Sequence, residues 1–234
     1  MAKFCPLFSS STGNSIYIGG GNESILIDIG MVNKQIEQAL WNIGVDADSI
    51  RNIFITHEHS DHIKGLKVFS KKHKSRVFMT AGTYEALTKT DALDNVDECK
   101  IIGEDGVDIG CMHIKTFSIS HDCIEPCGYT VELANGRKIA VATDLGIMTD
   151  TVMNALKGCD LVMLESNHDI GMVQNGEYPY YLKRRILSDR GHLSNIDCAE
   201  EAKELIKSGT TRLFLGHLSR DNNMPALAYE TTYA

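Results

Sequence analysis

The sequence predicts a layered α/β fold, and three patterns support this prediction. Short strand-like segments joined by turns fill the first third of the chain, strand and helix patterns then alternate, and several apolar strands end in a His or an Asp. The 234 residues are 43% hydrophobic and 23% charged, a composition typical of globular proteins. The sequence contains no linker, low-complexity tract or fixed repeat, so we predict one domain over residues 1–234.

The first third reads as strands followed by a helix. Short apolar runs bounded by turn residues predict strands at Lys3–Phe8, Ser15–Ile18 and Ser24–Ile27. A polar loop, SSSTGNS at 9–15, separates the first two strands, and a glycine-rich turn at 19–22 separates the second from the third. Apolar residues at helical spacing then predict a helix near 33–43.

Strands and helices alternate through the rest of the chain. Apolar runs predict strands at Ile53–Ile55, Val77–Met79, His113–Ile119, Gly128–Leu133, Lys138–Ala142, Leu161–Leu164 and Leu213–Leu215. Helical periodicity predicts helices near 63–69, 81–89, 149–157, 180–188 and 196–207, and after Pro225. Asn135-Gly136 is a strong signal for a hairpin turn.

Composition narrows the range of functions. The net charge of −8 argues against a protein that holds nucleic acid by bulk electrostatics, although it allows a local basic patch. The N-terminal residues lack the pattern of a secretory signal, and no apolar stretch reaches the roughly 20 residues that a membrane helix needs. We therefore expect a cytoplasmic protein without a membrane partner. Seven cysteines without a CxxC pair indicate neither a disulfide framework nor a cysteine-only zinc site.

Polar residues of metal-ligand type follow five of the predicted strands. They are His57, His121, Asp144, His168 and His217. Because ligand sites in open α/β sheets lie beyond the strand ends, we expect these residues to meet in one pocket. Of the other histidines, His73 is expected to be a solvated helix-end residue and His113 a strand residue outside the site.

The densest cluster is THEHSDH, directly after a predicted buried strand. His57 and His59 are two apart on an extended segment and should project to the same side. Asp61 and His62 fall where the chain turns into a helix, so they can face the same cavity from another angle. Imidazole and carboxylate groups together suit zinc, manganese or iron. With His121, Asp144 and His217 the set reaches seven side chains, which is enough for two metal ions that share one carboxylate.

This pattern resembles the metallo-β-lactamase superfamily. Asp28 in LIDIG matches its first motif, and His57-x-His59-x-Asp61-His62 matches its second. The resemblance implies a four-layered αββα fold with the metal site at one edge of a β-sandwich. It also implies that His57, His59 and His121 hold one ion, that Asp61, His62 and His217 hold the other, and that Asp144 bridges them.

Longer strings resemble one branch of this superfamily, the YycJ (WalJ) proteins. They are SSSTGNS, THEHSDHIKG, SHDCIEPCGY, ATDLG, ESNHDIGM, YPYYLKRRILSDRGHLSN and LGHLSRDNN. This resemblance implies a 5′-to-3′ DNA exonuclease-like activity, with two divalent transition-metal ions as cofactors, either zinc or manganese, with iron as a third option. DNA would be the partner rather than RNA. This sequence departs from the branch in one respect, because it stops soon after LGHLSRDNNMPALA, where the resemblance implies another strand or more.

The implied chemistry uses a metal-bridging hydroxide as the nucleophile for a phosphodiester. Asp61 could orient that hydroxide. His192, in RGHLSN before a predicted helix, is the candidate that protonates or clamps the leaving group, and the alternative is a histidine in a helix-capping loop.

Several residues are candidates for substrate binding, each with a plainer alternative. His168 could touch substrate or orient a ligand. The basic run Lys183, Arg184 and Arg185 could contact the nucleic-acid backbone, whereas the basic run at 71–76 is expected to be a solvated face. Ser11 and Asn14 lie in the SSSTGNS loop, which could cradle a phosphate or form a plain hairpin.

Two other functions remain open at this point. The acidic net charge favours a small-molecule metallo-hydrolase that acts on thioesters, lactones or cyclic phosphodiesters. A metal-binding redox or interaction protein is a third class. His59 argues against it, because the diiron redox members of the superfamily carry Glu at the matching position.

Overall fold

The computed structural model describes residues 2–103 and 105–234, in which strands and helices alternate along the chain. The strands are β1 (Lys3–Ser10), β2 (Gly13–Gly20), β3 (Glu23–Ile27), β4 (Asn52–Phe54), β5 (Arg76–Met79), β6 (Cys99–Ile101), β7 (Val107–Ile109), β8 (Met112–Ser118), β9 (Cys127–Leu133), β10 (Lys138–Ala142), β11 (Leu161–Glu165) and β12 (Arg212–Gly216). The helices are α1 (Asn33–Asn42), α2 (Ser60–Ile63), α3 (Leu66–His73), α4 (Ala81–Thr88), α5 (Asp150–Leu156), α6 (Ile170–Asn175), α7 (Tyr180–Ile186), α8 (Asn195–Lys207) and α9 (Pro225–Tyr233).

The residues group into two compact units. The first unit runs to Lys115 and also includes Cys123–Pro126. Its main sheet has the spatial order β1-β2-β3-β4-β5-β6, antiparallel through β3 and parallel from β3 to β6. Leu40 on α1 and Phe69 on α3 pack with Ile53 on β4 in a single apolar cluster. The apolar faces of these helices therefore cover a sheet of buried strands.

The second unit comprises Thr116–Asp122 and Cys127–Ala234. In it β9 pairs antiparallel with β10, and β10, β11 and β12 run parallel to one another. Its apolar cluster joins Val152 on α5 and Leu205 on α8 to Val162 on β11. The buried face of α8 explains why a 13-residue helix forms here, since helices in proteins gain most of their stability from packing.

Three residues that follow strands adopt the left-handed backbone conformation. They are Asp28 after β3, Asp144 after β10 and His217 after β12, with φ of 59°, 58° and 53°. Non-glycine residues rarely adopt this conformation, which costs about 1–3 kcal/mol and is found mostly at functional sites. The backbone therefore adopts an uncommon conformation shortly after strands β3, β10 and β12 end.

The structure differs from the sequence prediction in four places. The loop predicted at 9–15 is mostly strand, because β1 and β2 extend into it and leave a tight turn at 11–12. Two short helices, α2 and α3, replace the helix predicted near 63–69; they meet at Gly65, where a Cβ would lie 2.4 Å from the Met31 carbonyl oxygen. Helix α6 was not predicted, although Asp169 caps it by accepting a hydrogen bond from the Met172 amide at 2.8 Å. His73 is buried rather than solvated, because its ring nitrogens meet the carboxylates of Asp48 and Glu37.

Candidate metal centre

The first cluster of metal-type ligands follows β4 in the first unit. His57 and His62 are fully buried, and their ring centroids lie 4.1 Å apart. The ring of His59 lies 4.7 Å from that of His57, and Asp61 Oδ2 lies 3.5 Å from His62 Nε2. The structure therefore brings together the four residues that the HEHSDH segment predicts.

Asp28 and Thr56 hold two of these histidines in place. Asp28 Oδ2 lies 2.7 Å from Nδ1 of His62 and accepts a hydrogen bond from the Thr56 hydroxyl at 2.9 Å. Asp28 Oδ1 accepts from the Thr56 amide at 2.8 Å. Because the Thr56 hydroxyl donates to Asp28, its oxygen can accept from Nδ1 of His57, 2.9 Å away. The first-motif residue Asp28 thus orients ligands, which gives that match a physical role.

The two residues predicted in the SSSTGNS segment differ in their surroundings. Asn14 is 3% exposed, and its Nδ2 lies 3.0 Å from His62 Nε2 and 3.3 Å from Asp61 Oδ2. Asn14 therefore contacts two predicted metal ligands. Ser11 is exposed in the turn between β1 and β2. Contact of either residue with substrate stays a prediction.

Cys123 joins the first cluster, which the sequence analysis did not anticipate. Its Sγ lies 3.4 Å from Nε2 of His59 and 3.7 Å from Nδ1. His57, His59 and Cys123 each offer one ligand atom, and these atoms lie within 4.8 Å of one another. The sequence does contain a signal, because this cysteine lies two residues after the predicted ligand His121. The signal is weak, since the cysteine belongs to no CxxC pair.

The second cluster lies in the second unit and centres on Asp144. Its Oδ1 lies 3.5 Å from Nε2 of His217, 3.8 Å from Nε2 of His121 and 3.8 Å from Nδ1 of His192. Asp144, His121 and His217 are each at most 3% exposed. The structure therefore gathers the three predicted ligands of this unit together with the predicted catalytic His192.

Glu165, at the end of β11, is the most important residue that the sequence analysis missed. Its Oε1 lies 2.7 Å from Nδ1 of His217 and 2.9 Å from Nδ1 of His192. Its Oε2 accepts backbone hydrogen bonds from Leu145 and Leu193 at 2.6 and 3.2 Å. Burial opposes its ionisation, but the interactions with His192 and His217 outweigh burial and hold the pKa of Glu165 below its usual range. The signal was a carboxylate inside a fully buried strand, where it requires a partner.

Four histidines share one hydrogen-bonding pattern across the two clusters. In each, Nδ1 faces a protein acceptor: Thr56 Oγ1 for His57, Asp28 for His62, the Gly191 carbonyl for His121 and Glu165 for His217. This assigns the proton to Nδ1 and leaves a lone pair on Nε2 that a cation can use. In His62 that lone pair faces Nδ2 of Asn14 at 3.0 Å, so a cation bound there would take the place of the amide. With neighbouring carboxylates, this donor set fits a divalent transition-metal ion.

The remaining predicted substrate contacts lie elsewhere in the second unit. His168 is 1% exposed, and burial lowers its pKa to about 4, so that its ring is neutral at pH 7. Lys183 donates to the Gln174 carbonyl at 2.8 Å, and Arg184 lies over the Tyr180 ring. Arg185 forms a two-pronged ion pair with Asp122, at 2.5 and 3.1 Å. Contact of these residues with substrate stays a prediction, and Arg185 has a structural role beside the predicted ligand His121.

Comparisons with known proteins agree with this geometry. The family model described as beta-lactamase superfamily domain matches residues 24–218. The exodeoxyribonuclease YycJ of Bacillus anthracis is 38% identical over 96% of this chain and 85% of its own length. The exodeoxyribonuclease WalJ of Streptococcus pneumoniae is 35% identical over 98% of this chain and 86% of its own length.

A solved structure supports the fold. The metallo-beta-lactamase fold protein YhfI from Bacillus subtilis superposes with a TM-score of 0.75 at 15% identity, covering 99% of this chain and 91% of YhfI. The predicted metallo-β-lactamase fold is thereby confirmed. Within residues 2–103 and 105–234, none of the helices combines the length and apolar character required to cross a membrane.

Proposed function

Because this chain belongs to the beta-lactamase superfamily, in its YycJ- and WalJ-like branch, we propose that it is a dinuclear phosphodiesterase that degrades DNA from a 5′ end. The chain is a metal-dependent hydrolase. The names of its relatives support DNA as the substrate, and the 5′-to-3′ direction rests on the resemblance of its motifs. The observation that carries the proposal is the shared orientation of four histidines whose Nδ1 atoms are already engaged.

We assign the ligands residue by residue. His57, His59 and His121 would hold one ion, and Asp61, His62 and His217 would hold the other. Asp144 would be shared, which is consistent with its Oδ1 lying within 3.8 Å of Nε2 of both His121 and His217. Zinc and manganese both suit these ligands, as does iron.

Bound divalent ions would supply Lewis acidity toward the phosphate oxygens and lower the pKa of the attacking water. The Asp61 side chain is 24% exposed, against 0% for His62, so its carboxylate can orient an incoming water. Asn14 holds one of its oxygens and keeps the side chain in place.

His192 would deliver a proton to the leaving alkoxide. The ionised Glu165 engages Nδ1 of His192 and orients the ring, so Nε2 is the atom that can exchange a proton with the leaving group. The side chain is 17% exposed, in contrast to the buried His121 and His217. This partial exposure suits a group that must meet a substrate.

A small-molecule metallo-hydrolase is the second candidate. The net charge of −8 favours it, and so does the engagement of Lys183 and Arg185 by protein groups, which reduces their availability for a DNA backbone. The two candidates differ in substrate and share the same ions and ligands.

A substrate panel separates these candidates. The protein loaded with Mn²⁺ or Zn²⁺ would be incubated with 5′-phosphorylated duplex DNA, single-stranded DNA, RNA, bis(p-nitrophenyl) phosphate and a thioester. Release of mononucleotides from a DNA substrate labelled at one end supports the proposal and reports its direction. Turnover of the thioester with every polymer left intact would instead establish the second candidate.

A further inference from the structure

A cavity of about 420 Å³ opens beside the second cluster, wholly within the second unit. Its size lies in the range of about 300–1,000 Å³ that is usual for small-molecule sites. His192 forms part of its wall and also contacts Glu165 and Asp144 in the metal-type cluster. A ligand in this cavity would therefore lie directly next to the reaction centre.

Both polar and apolar groups line this cavity. Ile147 and Leu187 are 40% and 41% exposed and offer flat contact surface. His168 lies in the wall at 1% exposure, and among the residues that the structure describes its Nδ1 has no hydrogen-bond partner. A buried ring nitrogen without a partner is costly, so its presence in the wall points to a ligand that satisfies it.

The charge of the cavity excludes a phosphate as its occupant. Asp197 in the first turn of α8 and Glu201 in the middle of this helix line the cavity, and burial together with the charges of Asp197, Glu200 and Glu204 raises the pKa of Glu201. These carboxylates would repel an anion but can accept hydrogen bonds from an amino group. Adenine and cytosine present exocyclic amino groups, and guanine presents both an amino group and a ring N–H, whereas thymine has no amino group and offers a single ring N–H between two carbonyl groups.

We propose that this cavity receives the nucleobase next to the scissile phosphate and favours bases that carry an amino group. The proposal rests on the proposed nuclease function and adds base recognition to it. Asp197 and Glu201 would read the edge of the base, His168 would supply the buried ring nitrogen, and Ile147 and Leu187 would pack against its face.

The test uses oligonucleotides that differ only in the terminal base. We expect kcat/KM to be higher for dA, dC or dG than for dT, and an abasic residue to lower it roughly tenfold or more. Glu201→Gln should reduce the difference in kcat/KM between the dC and dT substrates, since it removes one carboxylate from the cavity. Glu230→Gln is the control, because it removes the same charge from an exposed position on α9 that lies outside the cavity and does not shift the pKa of Glu201.

A second measurement tests base binding in the cavity independently of DNA cleavage. Deoxyadenosine and deoxycytidine should inhibit hydrolysis of bis(p-nitrophenyl) phosphate more strongly than thymidine does, and Glu201→Gln should reduce that difference. If the nucleosides inhibit in this order but the protein does not cleave DNA, base binding in the cavity is supported and the proposed nuclease function is contradicted. Cleavage of DNA with equal rates for all bases and for an abasic end would overturn the cavity proposal.

A separate observation concerns the thiol of Cys123 in the first unit. A tetrahedral zinc ion with Zn–S near 2.3 Å and Zn–N near 2.0–2.1 Å places sulfur and nitrogen about 3.6 Å apart. The distance from Cys123 Sγ to His59 Nε2 is 3.4 Å, and His57 offers a nitrogen within the same 4.8 Å group. The separation of the two atoms therefore suits a shared cation as well as a hydrogen bond.

We infer that Cys123 is an additional ligand to the ion held by His57 and His59. Binding releases the thiol proton to solvent and leaves a thiolate on the metal. A soft thiolate favours zinc or cobalt over manganese, so this residue would bias which ion the site retains.

Cobalt substitution tests this inference independently of activity. Protein loaded with Co²⁺ should show a near-ultraviolet sulfur-to-cobalt charge-transfer band, which Cys123→Ser and Cys123→Asp should both lose. The aspartate variant keeps a ligand at this position and is expected to retain cobalt. Cys111→Ser is the matched control, because that half-buried thiol lies 3.1 Å from the Gly20 carbonyl oxygen, outside the cluster, and the band should persist. A band that survives in Cys123→Ser, or is missing from cobalt-loaded wild type, would overturn the inference.

Discussion

Oε1 of Glu165 lies 2.7 Å from Nδ1 of His217, so a fully buried carboxylate fixes the ring of a proposed metal ligand. The same oxygen lies 2.9 Å from Nδ1 of His192, which is proposed to act on the leaving group. One side chain thus orients both a ligand and a catalytic group. Metal binding and proton transfer should respond together when this carboxylate is changed.

Glu165→Gln should lower the affinity for the metal about 10–100-fold and also reduce kcat. The amide keeps the shape of the side chain but lacks the negative charge that orients the two imidazoles. Metal retention would be measured by competition with a chelator. The exposed variant Glu204→Gln is the control, and unchanged retention in Glu165→Gln would contradict the role assigned to this carboxylate.

Substitutions of Asp28 should separate its electrostatic role from its backbone role. Asn tolerates the left-handed conformation that Asp28 adopts, so Asp28→Asn should keep the fold while lowering metal affinity about 10–100-fold. Asp28→Ala should in addition lower the free energy of unfolding by about 1–3 kcal/mol, because it combines backbone strain with loss of the hydrogen bonds from Thr56. Denaturant unfolding of the metal-free variants checks this difference, and equal stabilities would show that φ at this position carries no cost.

His192→Gln should retain both ions yet lower kcat by about 10²–10⁴-fold, because it removes the group proposed to protonate the leaving alkoxide. A substrate with a good leaving group, such as bis(p-nitrophenyl) phosphate, should be affected less than DNA. Metal analysis and kinetics on the same preparation provide the measurement. Loss of metal from this variant would reassign His192 as a ligand, and normal turnover of DNA would exclude any role in proton transfer.

Glu37 should make stability depend on pH at a site remote from the chemistry. Burial opposes its ionisation, but hydrogen bonds from Lys72, His73 and Asn33 lower the pKa of Glu37 from 4.5 to about 2. The unfolded chain therefore binds a proton at a higher pH than the folded protein does. The resulting stability, about 1–3 kcal/mol, is present above pH 4.5 and is lost as the pH falls toward 2.

Chemical unfolding of wild type and Glu37→Gln across this pH range tests that assignment. The two proteins should differ most above pH 4.5 and converge as the solution approaches pH 2. Glu98→Gln, which alters a carboxylate on the surface, should track wild type. If the two proteins differ in free energy of unfolding by the same amount at every pH tested, the charge of Glu37 is not the source of the stability.

Sequence patterns predicted the strands and the ligands on them because both depend on local signals. The buried strand before His57 and the positions of Asp144 and His217 after apolar runs were readable without tertiary information. The role of Glu165 was not readable, because its two histidine partners lie 27 and 52 residues away in the chain. The burial of His73 could not be predicted for the same reason. The sequence of α3 alone suggests a solvated helix end, whereas the residues that contact the His73 ring, Glu37 and Asp48, lie far from it in the chain.

The SSSTGNS segment failed as a loop prediction for a different reason. Its residues have turn propensity, but pairing between β1 and β2 continues to Ser10 and Gly13 and overrides that propensity. Asn14 consequently lies in a strand, where its amide reaches His62 and Asp61. A polar residue that appeared suited to a phosphate is thus placed beside the predicted metal ligands.

The most direct test of the account is a titration of metal-free protein with Mn²⁺, followed by electron paramagnetic resonance and metal analysis. We predict two ions per chain with a spin-coupled spectrum, because Asp144 is proposed as a shared ligand. In Asp144→Asn the coupling should weaken or disappear, together with a loss of bound metal. A single uncoupled ion at saturation, with full activity, would contradict the proposal that these seven side chains hold a metal pair.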